Sequence, residues 1–563
     1  MRFAAVRLAP FILLAACATK TAPTPAPAPL GGGRGGPPAA PAVDPVRYTR
    51  TTPPSDPLVQ QLWDEGMQRS QIADLAQVLN DSIGPRLINS DRYLLGQDWL
   101  IKKYAEWGVP ARQEQFGTWA RWQRGPTHVD LVSPRVRTLE ATMLAWSPGT
   151  NGAWIEGEVI LLPMDTTAAG VAAWMTLAKG KFVLTAAPGI TGPGAPNPTC
   201  RAPAQLQEFG APGQWAADSA ARVQMAAAYR ARLPHGSDTT ATGRRNFSFE
   251  WPKTAGVAGI LSTYYSNYPG TDKIFGNPRE QVPTIDLTCE DWNLLYRMAE
   301  KKQAPRIRVY ADSRALGEQP MFNVTAEIKG SEKPNEYIVL SAHFDTWDAG
   351  TGATDNGTGT VTMMETIRIL KKVYPHPRRT ILVGHWNGEE QGLLGSRAFV
   401  ADHPAIVEGV HFGINEDGGT GRIQNIGPGP NLLATDRLIH YLGEMPATAT
   451  KEIKIGPVGP PGTGGSDHSS FQCAKAPVIG VGGVNWDYGN LTWHTNRDTY
   501  DKIVMNDLRY NAALTALLVY EADRDPVFLA HTVLDSSTNA QTKVKTAISY
   551  TCPKAPRVTA EGR

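Results

Sequence analysis

The sequence predicts an α/β fold in which a mixed, mainly parallel sheet is sandwiched by helices. Three mostly apolar runs carry this prediction, namely EYIVLSA (336–342), TILVGHW (380–386) and VHFGIN (410–415). Such runs are typical of strands that are buried on both faces of a parallel sheet. Helical patterns at about 358–373 and 392–401 separate the runs, so strands and helices alternate as they do in βαβ units.

The 563-residue chain is too long for one ordinary core, so two or more domains are expected. A helical pattern runs from Asp56 to about Trp122. Short β-like runs, separated by Gly, Pro and polar residues, follow it. We therefore predict a discontinuous α/β domain formed by residues 56–129 and 319–540, with a β-rich insertion at residues 130–318.

The N-terminal 17 residues have the features of a lipoprotein signal peptide. Two arginines precede a short apolar stretch, and the sequence LAAC (14–17) resembles a bacterial lipobox. A plain signal peptide with an incidental cysteine is the alternative. Residues 18–55 are rich in Pro, Gly and Ala, a composition that predicts a disordered tether. We expect an exported periplasmic or cell-envelope lipoprotein that is anchored at Cys17.

Charge and cysteine content restrict the possible partners. The net charge is only +2 and no run of Lys or Arg stands out, so nucleic acid is not an expected partner. Membrane contact is expected only through the lipid anchor, and the oligomeric state stays open. The spacing of the remaining cysteines fits no metal site and leaves their pairing open; these are Cys200, Cys289, Cys473 and Cys552.

Side chains capable of chemistry follow each of the three predicted parallel strands. His343 and Asp345 follow the first strand, Glu389 and Glu390 the second, and Asp417 the third. Ligands of open α/β sheets bind beyond the carboxyl ends of the strands. The three strand ends therefore predict one site.

These residues supply the ligands that two zinc ions need. Two zinc ions about 3.5–4 Å apart require a bridging carboxylate and further His or carboxylate ligands. We predict that Asp355 is the bridge. His343 and Asp417 complete one metal site, and Glu390 and His494 complete the other.

Two further carboxylates are expected to act beside the metals. Glu389 is adjacent to a ligand without being needed as one, which suits a general base. Asp345 lies two residues after His343 and is expected to orient its imidazole. Asp498, four residues after His494, is a weaker candidate for the same task there.

Several motifs occur together in the order found in one known family. They are HFD with ATDNGTG, NGEEQGLLGS (387–396), INEDGG (414–419), GGSDHSSF (464–471) and WHTNRDT (493–499). The chain resembles the co-catalytic di-zinc exopeptidases of the bacterial leucyl aminopeptidase and glutamate carboxypeptidase group. The resemblance implies two zinc ions on the same five ligands, and Glu389 as catalytic base with Asp345 as its companion. It also implies a protease-associated domain at residues 130–318.

The resemblance implies hydrolysis of small peptides from one end, with an aminopeptidase as the first expectation. A carboxypeptidase or dipeptidase of the same family is the alternative, because Trp347 and Asp348 resemble the plasma glutamate carboxypeptidase branch. Two hypotheses come from other classes. A receptor-like binding protein of this fold lacks the metal ligands, and a single-zinc glutaminyl cyclase lacks the first-strand histidine, whereas His343 is present here.

Overall fold

The computed structural model describes residues 56–165, 167–185, 251–264, 266, 268–277, 281–462, 464–538 and 543–553. The predicted signal peptide and tether, with Cys17, lie outside the described residues, and so does Cys200. Among the residues described, no helix combines the length and the apolar character needed to cross a membrane.

Helices open the described chain, followed by a long strand. They are α1 (Pro57–Gln68), α2 (Ile72–Gln77), a π-helical turn (Val78–Ile83) and α3 (Asp91–Glu106), and β1 is Ala111–Ser133. Asp56 caps α1, because its carboxylate accepts a hydrogen bond of 2.9 Å from the Leu58 N–H.

The helical pattern expected up to Trp122 was therefore wrong over its last part. The buried residues Phe116, Trp119 and Trp122 are spaced three apart, which imitates a helix. Irregularities in β1 lie between Gln115 and Gly117 and between Ala120 and Trp122. The first irregularity adds a residue to β1 and the second adds one to its partner strand, so the pairing departs from regular alternation.

The inserted region contains both strands and helices. They are β2 (Arg137–Leu139), β3 (Ala141–Met143), β4 (Ile155–Leu161), α4 (Ala168–Ala178), β5 (Phe182–Leu184), β6 (Gly259–Ser262), β7 (Thr284–Leu287) and α5 (Cys289–Glu300). Strands β4 to β7 are parallel neighbours, and β3 closes this edge in the antiparallel direction. The region packs around an apolar core that includes the fully buried Phe182, Trp251 and Trp292, and this core continues to Leu394 and Ala398 of the other half of the fold.

A ribbon of two long strands joins the inserted region to the rest of the fold. Strand β8 (Arg306–Ile328) pairs with β1 in the antiparallel direction over most of its length. One end of β8 pairs with β4 and the other with β10 (Arg379–Trp386), so both regions share one sheet. The predicted domain boundaries, at 129/130 and 318/319, fall inside β1 and β8 and stay a prediction.

The second half of the sheet is mainly parallel. It contains β9 (Lys333–His343), β10, β11 (Val410–Glu416), β12 (Ile423–Gly427), β13 (Lys454–Ile455) and β14 (Val478–Gly483). Strands β10, β9, β11 and β14 are parallel neighbours in that order, whereas β8 and β12 flank them in the antiparallel direction. This arrangement confirms the predicted mixed, mainly parallel sheet.

Helices cover both faces of this half. They are α6 (Thr358–Val373), α7 (Leu394–Asp402), α8 (Pro404–Glu408), α9 (Ala434–Gly443), α10 (Ala447–Thr450), α11 (His468–Gln472), α12 (Tyr488–Leu491) and α13 (Met505–Arg524); β15 (Ser536–Thr538) and β16 (Lys545–Ala547) form a separate hairpin. Ile338 and Leu340 of β9 belong to the core that includes α13, while Val339 between them belongs to the core that includes Phe399 of α7. Successive residues of β9 thus face opposite layers.

Two side-chain interactions connect parts of the fold that are distant in sequence. Arg368 of α6 forms buried ion pairs of 2.6 Å with Glu65 of α1 and 2.8 Å with Glu365. The helix that follows Asp355 is thereby fixed to the first helix of the fold. A disulfide joins Cys473 to Cys552, which resolves one pairing that spacing left open.

Candidate metal centre

The carboxyl ends of three parallel strands bring the predicted ligands together. His343 is the last residue of β9, and Asp417 directly follows β11. Glu390 lies four residues after β10, in a turn that also contains Glu389. The loops that carry Asp355 and His494 reach the same edge of the sheet, since both side chains contact this group.

The contacts divide the five residues into two sets that share one carboxylate. The Nε2 atom of His343 lies 3.1 Å from Oδ1 of Asp417 and 3.3 Å from Oδ1 of Asp355. The Nε2 atom of His494 lies 2.8 Å from Oε2 of Glu390 and 3.3 Å from Oδ2 of Asp355. Asp355 therefore stands between two imidazoles and presents a different oxygen to each, which is the grouping that the sequence predicted.

The chemistry of this donor set fits divalent metal ions. His343, Asp355 and Glu390 each offer one ligand atom, and these atoms lie within 4.8 Å of one another. Within the described part of the chain, Oδ2 of Asp355 and Oε1 of Glu390 are buried without a hydrogen-bond partner. Buried carboxylate oxygens without a partner are unfavourable, and a dication removes that penalty. Imidazole nitrogens and carboxylate oxygens are ordinary zinc ligands.

Burial and crowding shift the protonation of these groups strongly. Burial lowers the pKa of His343, but the charges of Asp417 and Glu389 and hydrogen bonds to Asp355 and Asp417 raise it well above its ordinary value overall. Burial raises the pKa of Glu389 and of Glu390 well above the usual range, and neighbouring carboxylates add to this effect. These carboxylates can therefore all ionise near neutral pH only if a bound cation compensates their charge.

Asp345 supports the centre in a different way from the one predicted. The Nδ1–H of His343 donates to the backbone carbonyl of Asp345 at 2.9 Å, whereas the Asp345 carboxylate lies 3.9 Å away from Nδ1. That carboxylate instead accepts hydrogen bonds from the N–H groups of Glu389, at 3.1 Å, and Glu390, at 3.3 Å. Asp345 thus orients the imidazole through its backbone and holds the Glu389–Glu390 turn through its side chain. Burial raises its pKa to about 6.

Asp498 also has partners other than the expected one. Its carboxylate accepts hydrogen bonds from the N–H and hydroxyl groups of Thr354, at 2.7 and 2.8 Å, and from the N–H of Asp355 at 3.0 Å. These bonds fix the backbone at Asp355, not the imidazole of His494. Burial raises the pKa of Asp498 to about 7.

Sequence reasoning missed the part played by Arg86. Its guanidinium is fully buried and donates to the carbonyls of Phe344, Thr351 and Gly352 at 2.8–3.2 Å. Arg86 thus ties together the loop between His343 and Asp355. No sequence pattern indicated this role, because the partners of Arg86 are backbone atoms.

Two more polar side chains lie near the ligands and were also missed. Asp467 is fully buried, and burial raises its pKa to about 7. Its charge raises the pKa of Glu389 in turn.

The Tyr488 hydroxyl is buried and has no hydrogen-bond partner within the described ranges. Burial and the charge of Asp355 raise the pKa of Tyr488 well above its ordinary value. The GGSDHSSF motif offered a signal for Asp467, whereas Tyr488 lies outside every motif identified above.

Known proteins resemble this chain in sequence and fold. Carboxypeptidase Q of Mus musculus is 24% identical over 348 residues, which cover 61% of this chain and 64% of that relative. The chain thus spans slightly less than two thirds of that relative's length. Aminopeptidase YwaD of Bacillus subtilis is 26% identical over 324 residues, or 52% of this chain and 66% of that relative. The solved structure of a peptidase M28 precursor from Shewanella amazonensis has a TM-score of 0.59 at 22% identity. It covers 84% of this chain and 97% of that one, and it shows the same fold.

A protein-family match agrees with the motifs, and the matched segment contains the whole candidate centre. Residues 323–519 match peptidase family M28. All five candidate ligands, from His343 to His494, lie within this range. The similarity to peptidase family M28 therefore covers residues 323–519, the part of the chain that holds the candidate centre.

Proposed function

We propose that the protein is a zinc-dependent exopeptidase that hydrolyses a peptide bond at the end of small peptides. The observation that carries this proposal is the Asp355 carboxylate, which lies between the imidazoles of His343 and His494 at 3.3 Å from each. Two zinc ions are held there, one by His343 and Asp417 and the other by Glu390 and His494, with Asp355 shared. The family and the names of the similar proteins support the same reaction class.

The chain's own residues carry the proton transfers of this hydrolysis. When bound, zinc supplies Lewis-acid polarisation of the scissile carbonyl. Glu389 accepts a proton from the attacking water as the new C–O bond forms. It returns that proton to the leaving nitrogen as the C–N bond breaks. Asp345 keeps Glu389 in place through the backbone hydrogen bond of 3.1 Å.

Tyr488 stabilises the negative charge that develops on the substrate oxygen. Its hydroxyl is buried near Asp355 and Asp417 and has no hydrogen-bond partner in the part of the chain described. A buried donor that is not yet engaged needs no rearrangement when the oxyanion forms.

Substitutions at Glu389 and Asp355 form a matched pair that distinguishes catalysis from metal binding. Glu389→Gln keeps the metals and lowers kcat by about 10²–10⁴-fold, since only the proton carrier is lost. Asp355→Asn lowers the zinc content itself, because the shared ligand is weakened. Elemental analysis after dialysis, together with peptide hydrolysis rates, measures both effects. A Glu389→Gln protein with wild-type turnover contradicts the assignment of the base.

The amino terminus is the first candidate for the end that is cleaved. A free α-amine needs an acidic partner near the metals, and Asp467 is a buried carboxylate near Glu389 that is not among the five ligands. The carboxyl terminus, or a dipeptide, is the second candidate. The charges of Asp467 and Glu389 act on Arg397, so a guanidinium that suits a substrate carboxylate is also close. Similarity to carboxypeptidase Q favours this second candidate.

One peptide in three forms distinguishes the two ends. The full-length protein loaded with zinc is given a tetrapeptide that is free, N-acetylated or C-amidated, and mass spectrometry identifies the residue removed. An aminopeptidase removes the first residue from the free and amidated forms only, and Asp467→Asn then raises KM more than Arg397→Gln does. Loss of the last residue from the free and acetylated forms, with the opposite ranking of the two variants, establishes the carboxypeptidase. Intact peptides with two zinc ions bound contradict the proposed reaction.

We also propose that the protein is exported and anchored to a membrane at Cys17. The lipobox-like sequence supports this proposal, and so does the Cys473–Cys552 disulfide, because disulfides persist mainly in oxidising compartments. A Cys17→Ser variant is expected in the soluble fraction, whereas the wild type sediments with membranes. Equal sedimentation of the two proteins contradicts the anchor.

The region at residues 130–318 is proposed to be a protease-associated domain that borders the metal centre. The parallel strands β4 to β7, with β3 at their edge, support a folded unit in this region. Backbone hydrogen bonds to the loop that carries His494 support a position beside the site.

A further inference from the structure

Two loops from different regions of the chain pack against each other beside the metal centre. The insertion loop (residues 268–277) belongs to the inserted region, and the histidine loop (residues 487–498) carries His494. The Tyr268 hydroxyl donates to Oδ2 of Asp487 at 2.6 Å. This contact fastens the start of the insertion loop to the start of the histidine loop.

Backbone hydrogen bonds join the two loops around the candidate ligand itself. The Ile274 N–H donates to the carbonyl of His494 at 2.8 Å. The Asn496 N–H donates to the carbonyl of Asp272 at 2.9 Å, and Oδ1 of Asn496 accepts from the Asp272 N–H at 3.0 Å. The backbone at and after His494 is therefore held by the insertion loop, which lies outside residues 323–519.

The backbone of His494 requires such support. Its φ of +60° lies in the left-handed region, which is unfavourable for a residue that carries a Cβ. Such a conformation persists only where the surroundings fix it. The hydrogen bond from Ile274 to the His494 carbonyl is one of the interactions that do so.

Side chains of the insertion loop also fix the plane of the imidazole. The Trp493 ring stacks on the His494 ring with 3.9 Å between the ring centres. The Phe275 ring contacts the His494 ring edge-on, with 5.2 Å between the ring centres. The Nζ atom of Lys273 lies 4.0 Å from the centre of the Trp493 ring and donates to the Trp493 carbonyl at 3.1 Å and the Gly489 carbonyl at 2.5 Å. Lys273 thus holds Trp493 in place, and Trp493 with Phe275 encloses the imidazole.

We propose that the insertion loop is a structural part of the metal centre, and that Lys273 and Phe275 are positioning residues for His494. This inference rests on the proposed role of His494 as a zinc ligand. Since His494 serves only the ion it shares with Glu390 and Asp355, loss of the loop's contacts weakens that ion selectively. The ion on His343 and Asp417 is unaffected, because neither residue depends on these contacts.

The test measures both zinc affinities of the full-length protein by competition with chelators of graded strength. Lys273→Met keeps the aliphatic stem without the charge, and Phe275→Leu keeps an apolar side chain without the ring. In each variant, one ion is expected to bind about 10–100-fold more weakly while the other stays within about twofold. Lys181→Met is the matched control, because this lysine of the inserted region pairs with Glu158 at 3.0 Å.

Three other results overturn the inference in distinguishable ways. If both affinities are unchanged in both variants, the loop does not position His494. If both ions weaken equally and the metal-free variants melt at lower temperature than the Lys181→Met control, the loop supports only the fold. A wild-type protein that binds no zinc contradicts the proposed function, and the inference fails with it. Cobalt substitution gives a second readout, since the absorption of the ion on His494 changes in the variants and that of the other ion does not.

Discussion

The shared carboxylate of Asp355 is the constraint on which the rest of the centre depends. It faces one imidazole with each oxygen, so its position decides whether the two sets of ligands meet. The surrounding structure fixes that position by several means. Asp498 binds the backbone on the N-terminal side of Asp355, Arg86 ties the preceding loop, and α6 is locked to α1 through Arg368. Each of these side chains is ionisable and buried, which is tolerated because each one has hydrogen-bond partners.

The sheet explains how an inserted region reaches the metals. Strands β1 and β8 cross from one half of the fold to the other, so the inserted region is joined by continuous backbone pairing to the half of the sheet that carries the candidate ligands. A rigid connection of this kind keeps the insertion loop at a fixed distance from the histidine loop. Their contacts include backbone hydrogen bonds and an aromatic enclosure of the imidazole. Paired strands position the insertion loop against the histidine loop more precisely than a flexible linker would.

Sequence predicted the parts that depend on local pattern. The buried strands around Val339 and Leu382 were evident as apolar runs. His343, Glu390 and Asp417 were evident because they lie at or just after strand ends. Contacts with main-chain atoms of distant residues were not predictable. Those of Asp345 and Asp498, and that of Ile274 with His494, join positions through main-chain atoms that every residue type carries. The strand around Trp119 was mistaken for a helix because bulges altered its period, and the Cys473–Cys552 pairing required the fold itself.

The central claim is that these five side chains hold two metal ions that share Asp355. Anomalous scattering at the zinc edge from crystals of the zinc-loaded protein tests it most directly. The account predicts two peaks about 3.5–4 Å apart. One peak should lie about 2.0–2.1 Å from Nε2 of His343 and the other at that distance from Nε2 of His494, with an oxygen of Asp355 on each. A single peak, or two peaks of which neither touches Asp355, would contradict it.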